Sequence, residues 1–233
     1  MAEFAKEANK AAKNLGTTTT RYTDAALIYY QQGLSDSEVQ ERTDATIKMA
    51  NVTGENATDV SSYMTAIWNN FDDGSKSIEY FADVITKLGA ETAASSAEIA
   101  GGLEKFAAIG ETVGLSYEYA TAALTTIIDK TRQSEDVVGT ALKTIFARIQ
   151  GLKMGGETED GLDLNKYSSA LAQYGIEIFD ANRNLRDMDD ILDDMGEKWN
   201  SLNRAQKVGL AQTVAGVRQY NQLVSLMDNW DAM

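Results

Sequence analysis

The residues with the most evident chemistry lie between Gly175 and Met195, in "GIEIFDANRNLRDMDDILDDM". Asp180, Asn182 and Asn184 alternate as the oxygen ligands of a calcium loop do, at its first, third and fifth places. The sixth place of such a loop requires Gly for a sharp turn and the twelfth a bidentate Glu, but here they hold Leu185 and Ile191. Calcium binding is therefore expected to be absent. A run of carboxylates follows: Asp187, Asp189, Asp190, Asp193, Asp194 and Glu197. Such a run could hold a divalent cation or supply paired acids for glycoside hydrolysis. A solvated helix start accounts for it as well, with Asp187 as the cap and Asp190 placed against the positive end of the helix dipole.

Other acids and glycines offer less. Glu104 and Glu111 could each act as the single acid of a glycan-cleaving site, but no substrate-binding motif accompanies them. The glycine pairs at Gly101 and Gly155 follow no strand and lack the Lys-Ser/Thr that reaches phosphates, so neither is a phosphate loop.

Composition removes most remaining catalysis. The 233 residues contain no His, Cys or Pro. Disulfides, zinc fingers, Cys or His nucleophile-base pairs and a His general base are all excluded. Any enzyme would have to work with carboxylates, Lys, Tyr or Ser, and the expectation is a non-enzyme without metal or cofactor. The net charge of −14 repels nucleic-acid backbones, and no basic patch offsets it. No apolar run approaches the ~20 residues that span a bilayer, so a soluble chain made in a cytoplasm is expected.

The elements that would position these residues read as helices. Zero Pro, against an average usage of about 5%, suits uninterrupted helical hydrogen bonding. Ser35 and Glu38 form a capping box ahead of Val39, Thr43, Ile47 and Ala50, and Ser95 and Glu98 form a second ahead of Ile99, Leu103 and Phe106. Apolar stripes at helical spacing run through Val60 to Phe71 and Ile78 to Leu88, and follow Ser116 and Ser134. "LSDSEVQERTDATIK" and "LSYEYATAALTTIID" hold corresponding places in two helix groups, which suggests a weak helical repeat. A short helix over 165–174 leads to the alternation Ile176 to Phe179, read as one strand of a small β-hairpin near 176–186. Three stripes close the chain: Ile191 to Leu202, Val208 to Ala215, and Tyr220 to Trp230.

The expected fold is all-α, antiparallel helix hairpins with that one β-hairpin. Residues 1–24 read as the end of an upstream helix or coiled coil, 25–150 as a domain of about six helices, 151–164 as a flexible Gly- and acid-rich loop, and 165–233 as a helix, the hairpin and three C-terminal helices. Most aromatics fall on core stripes. In "ALIYYQQGLS", Leu27, Ile28, Tyr29 and Tyr30 form a candidate protein-contact surface instead.

Four segments, "AALIYYQQGLSDSEVQERTDATIKMANVTG", "GTALKTIFARIQGLK", "YGIEIFDANRNLRDMDDILDDMGEKW" and "LAQTVAGVRQYNQLVSLMDNWD", occur in that order between about Thr17 and Asp231. Together they resemble the core region of phage tail tape-measure proteins. The ordered series carries the resemblance, since each helix pair alone is generic. It implies a very long, largely helical virion protein of a phage or prophage, synthesised in the host cytoplasm. Such a chain occupies the tail lumen during assembly, sets tail length as a ruler for tube polymerisation, and leaves ahead of the DNA at ejection. The implied partners are tail tube and tail tip proteins, tail assembly chaperones and further copies of the chain. No catalytic residue or cofactor is implied in this region, although some members carry a peptidoglycan-cleaving domain elsewhere. The sequence is accordingly expected to be a domain of a longer protein, with Met1 not its natural start. The alternatives are a free-standing helical adaptor that binds through "LIYYQQG", or a carboxylate-based peptidoglycan hydrolase.

Overall fold

A computed structural model describes residues 2–153, 156–158 and 161–233. Its described residues form eleven α-helices: α1 (Ala2–Asn14), α2 (Thr19–Gln31), α3 (Asp36–Thr53), α4 (Ala57–Phe71), α5 (Ile78–Glu91), α6 (Ser96–Thr112), α7 (Tyr117–Thr131), α8 (Glu135–Lys153), α9 (Leu164–Ala172), α10 (Met188–Trp199) and α11 (Arg204–Met227). A short 3-10 turn, Trp230–Ala232, follows. The all-α expectation holds.

Short polar caps set these boundaries, and most are the residues that the spacing picked out. Ser35 and Glu38 make both bonds of a capping box at the start of α3. Ser95 N–H donates to the Glu98 carboxylate at 2.7 Å while Glu98 N–H donates to the Ser95 hydroxyl at 3.2 Å, which repeats the device before α6. Ser116 caps α7 through Tyr119 N–H.

Compactness divides the chain into Met1–Glu104 and Lys105–Met233. This boundary differs from the expected one at 151–164. In the second unit, α8 is tied to α11, with Arg148 Nε donating to Thr213 O at 3.3 Å, so the chain on either side of that loop belongs to one body. Of the loop itself, Met154, Gly155, Glu159 and Asp160 lie outside the described residues. The described part is a turn in which Thr158 N–H donates to Leu162 O and Leu162 N–H to the Thr158 hydroxyl, both at 2.9 Å.

In the first unit, Tyr29, Ile47, Val60, Met64, Ile67, Trp68, Phe81 and Ile85 form the core. The Tyr29 and Trp68 rings lie 5.9 Å apart, Trp68 Nε1 donates to Ile78 O, and the Arg42 guanidinium sits 5.1 Å over the indole. In the second, Leu124, Ile128, Leu142, Phe146, Met195, Trp199, Leu210, Val214 and Leu226 are buried.

The helix joint suggested by the paired segments is built twice. Gly33-Leu34-Ser35 and Gly114-Leu115-Ser116 each place a positive-φ Gly (80° and 74°) two residues before an N-cap Ser of matching backbone angles. The helices they start also end alike. Thr53 and Thr131 donate to carbonyls four residues back, at Met49 and Ile127, and accept the N–H two residues on, from Glu55 and Gln133.

The β-hairpin is not formed: the described residues contain no strand, only an isolated antiparallel bridge between Phe179 and Leu185. Ile176 and Ile178 are buried as their alternation requires. The returning arm pairs through the Phe179–Leu185 bridge and through Arg186 N–H, which donates to Ile178 O at 3.0 Å, and then stops because Asp187 already stands at the cap of α10. α11 carries the last two apolar stripes as one helix with a break, where Gly216 adopts φ 73°, ψ 165°.

Candidate functional site

The acidic run gathers on one corner of the second unit, where the loop before α7 meets the start of α10. Met188 N–H donates to Gly114 O at 3.0 Å, and a Cβ on Gly114 would lie 2.2 Å from the Asp187 carboxylate, so the two segments touch without room for a side chain. Across this seam, Ser116 N–H donates to the Asp189 carboxylate at 3.1 Å. Asp189 is half-buried, and burial pushes its carboxyl above the ordinary range, against the opposing pull of the Ser116 bonds. The Tyr119 hydroxyl donates to Asp193. Burial first, then that bond and the charges of Asp193, Asp189 and Asp190, push the phenol well above its usual value.

Arg186 anchors the remainder. Its guanidinium donates to Asp194 at 2.6 Å, to Glu177 O at 2.7 Å and to Asp190 O at 3.3 Å. Asp189 and Asp193 thus join α10 to the start of α7, while Asp194 pairs with Arg186. Asp187 stands at the N-cap position but makes no side-chain cap bond, which corrects the expected capping role. Glu197, Glu104 and Glu111 are exposed and stand outside this group. Among the described residues, no three acids are arranged to hold a metal.

Asp180, Asn182 and Asn184 are brought together as a turn. Asp180 accepts Asn182 N–H at 2.9 Å and Asn184 N–H at 2.7 Å on one oxygen, and the Asn184 amide at 3.1 Å on the other. These bonds, led by the Asn184 N–H, hold its carboxyl below the ordinary range. Arg183 sits at φ 62° within the turn. The carboxylate that a calcium loop would aim inward is committed to its own backbone.

The four residues of the contact-surface reading separate. Tyr29 is fully buried, with its hydroxyl 2.6 Å from that of Thr46, so it belongs to the core. Leu27 is 54% exposed, and Ile28 and Tyr30 are half-buried, Tyr30 donating to Asp36 at 3.1 Å. Only Leu27 presents a large apolar surface.

One arrangement escaped the sequence reading. Tyr119, Asp193 and Trp230 share a recess of about 320 Å³ with Glu118, Ala122 and Met233. Trp230 follows the α11 stripe in sequence, yet it lies beyond the helix, half-buried against α10. The signal available was Gly196, a glycine inside an otherwise strong helix.

Among the described residues, no helix is long and apolar enough to cross a membrane. No solved structure matches the chain. The model of one family, described as phage-related minor tail protein, matches residues 6–216, which include the first three of the four ordered segments and the opening of the last. The chain belongs to the phage-related minor tail protein family.

Proposed function

We propose that this phage tail protein is a core-region module of a tape-measure protein, contributing to tail length determination, tail assembly and DNA ejection. The observation that supports this most is the ordered series of four segments, which spans almost the whole chain and overlaps the family match over 6–216. A helix rises ~1.5 Å per residue, so a long helical chain is a length standard that polymerising subunits can follow. This region is broken by a loop every few turns, with eleven helices among the described residues, and its contribution is read as that of a station on the ruler and not the ruler itself. Its setting is the tail lumen, with tube and tip proteins as neighbours.

In-frame removal of helical residues flanking this region in the parental phage protein is the test. Tails in electron micrographs should shorten in proportion to the residues removed, and unchanged tails would refute the ruler reading. We also assign the module no enzymatic role, on the missing Cys and His and on the structural engagement of Asp189 and Asp194. A clearing zone on purified cell wall, lost on Asp190→Asn or Glu111→Gln, would overturn that assignment.

A further inference from the structure

Gly196 lies in the interior of α10, where glycine weakens a helix by about 1 kcal/mol relative to alanine. What the glycine permits is a close approach. A Cβ at this position would lie 2.3 Å from both Cε2 and Nε1 of Trp230, so the indole rests directly on the helix backbone. One turn earlier on the same helix stands Asp193. Opposite, on α7, Tyr119 places its ring 6.3 Å from that of Trp230, the planes inclined at 40°, and donates its hydroxyl to Asp193. Ala122, one turn further along α7, lines the recess beside the two aromatics.

The recess is lined by the two aromatic rings and by the exposed Asp193 carboxylate. Aromatic faces attract a cation within ~6 Å of the ring, more strongly where the site is partly desolvated. Among its described lining residues there is no basic side chain to fill that role. The surrounding field is negative as well, for Asp189 and Asp190 act on the Tyr119 phenol alongside Asp193. The exposed Asp193 carboxylate suits a group presented on another protein's surface, and a chain of net charge −14 favours a basic partner.

We propose that the Tyr119–Trp230–Asp193 recess receives an arginine or lysine side chain of a protein partner. The cation lies against the indole face, and Asp193 supplies the counter-charge. Gly196 is a positioning residue, since it fixes the height of the indole above α10. The proposal is independent of the ruler reading.

The test uses the chain labelled with 5-fluorotryptophan, whose three indoles, Trp68, Trp199 and Trp230, are followed by fluorine NMR, with Trp230→Phe assigning the third signal. N-acetyl-arginine methylamide is the probe, and N-acetyl-glutamine methylamide its neutral control. The Trp230 signal should shift saturably with the arginine probe alone while Trp68 and Trp199 stay in place. Asp193→Asn should weaken the response at least about threefold, the scale of one exposed charge contact. Gly196→Ala should abolish it by displacing the indole, with the Trp199 signal reporting that the core is intact. A silent Trp230, an equal shift with the glutamine control, or an undiminished response in Asp193→Asn would overturn the proposal. A response to phosphocholine vesicles with none to arginine would do so too, in favour of a lipid headgroup.

Discussion

Replacing Trp199 by alanine is expected to lower the stability of the Lys105–Met233 unit by about 3–5 kcal/mol, the range for removing a buried tryptophan from a packed core. The indole is fully buried and its N–H donates to Asp228 at 2.6 Å. Lys207 reaches the same carboxylate at 3.0 Å and lies 5.1 Å above the ring, so one side chain organises both the core and a surface ion pair. Trp199→Phe separates the two parts. Phenylalanine keeps most of the apolar volume but removes the donor, which is expected to cost about 1 kcal/mol at neutral pH. Burial alone would raise the Asp228 carboxyl; the Trp199 N–H and the Lys207 ammonium override it and hold the group below its ordinary range. A depressed carboxyl contributes stability above its unfolded value, about pH 3.9, and loses it as pH falls through the folded value. The Trp199→Phe deficit should therefore be full at pH 7 and shrink below about pH 4 in urea unfolding followed by circular dichroism. An equal deficit at both pH values would show that the Asp228 bond contributes nothing, and a loss under about 1 kcal/mol for the alanine variant would show that the site is not core.

Most helix starts in this chain could be read directly because a cap is a contract among four consecutive residues. Ser35 with Glu38, Ser95 with Glu98, and Ser116 all bond within three positions, as their spacing announces. Periodicity likewise marks which face of α4 or α5 is apolar. What it cannot mark is which distant element receives that face. Asp189 and Asp193 pair with Ser116 and Tyr119, residues more than seventy positions away in sequence, and nothing local distinguishes such acids from solvated ones. The same limit misled the reading of Ile176 to Phe179. The alternation correctly indicated an extended arm with buried isoleucines, but a strand needs a partner of comparable length, and α10 begins before the return arm can supply one. Tyr29 and Tyr30 show it at the smallest scale: adjacent aromatics on one helix, the first enclosed beside Trp68 and the second at the surface beside Asp36.

Substituting Gly216 by alanine should destabilise the same unit by about 1–3 kcal/mol, through the backbone and not through crowding. At φ 73°, ψ 165° the residue occupies a region that L side chains rarely enter. Among the described residues, a Cβ there would meet the Arg148 guanidinium at 3.6 Å, an ordinary contact. The alternative open to the variant is to straighten α11, and the buried residues oppose that. Before the break the buried positions are Leu210, Ala211, Val214 and Ala215, and after it Gln222, Leu223, Leu226 and Met227. On one continuous helix at ~100° per residue the centres of these two stripes would differ by about 120°, so a straight α11 could bury one set only by turning the other outward. The broken helix brings both to the core, and Arg148 supports the break by donating to Thr213 O, a carbonyl of the interrupted turn. Gly151→Ala is the matched control, since Gly151 lies in α8 and, among the described residues, nothing comes within 4 Å of a Cβ there. That change should be neutral or stabilising by up to ~1 kcal/mol. Urea unfolding and the helical signal at 222 nm, read on both variants, decide the matter. Gly216→Ala with an unchanged midpoint and increased helicity would mean that α11 is straight in solution, and the account of its two stripes would fail.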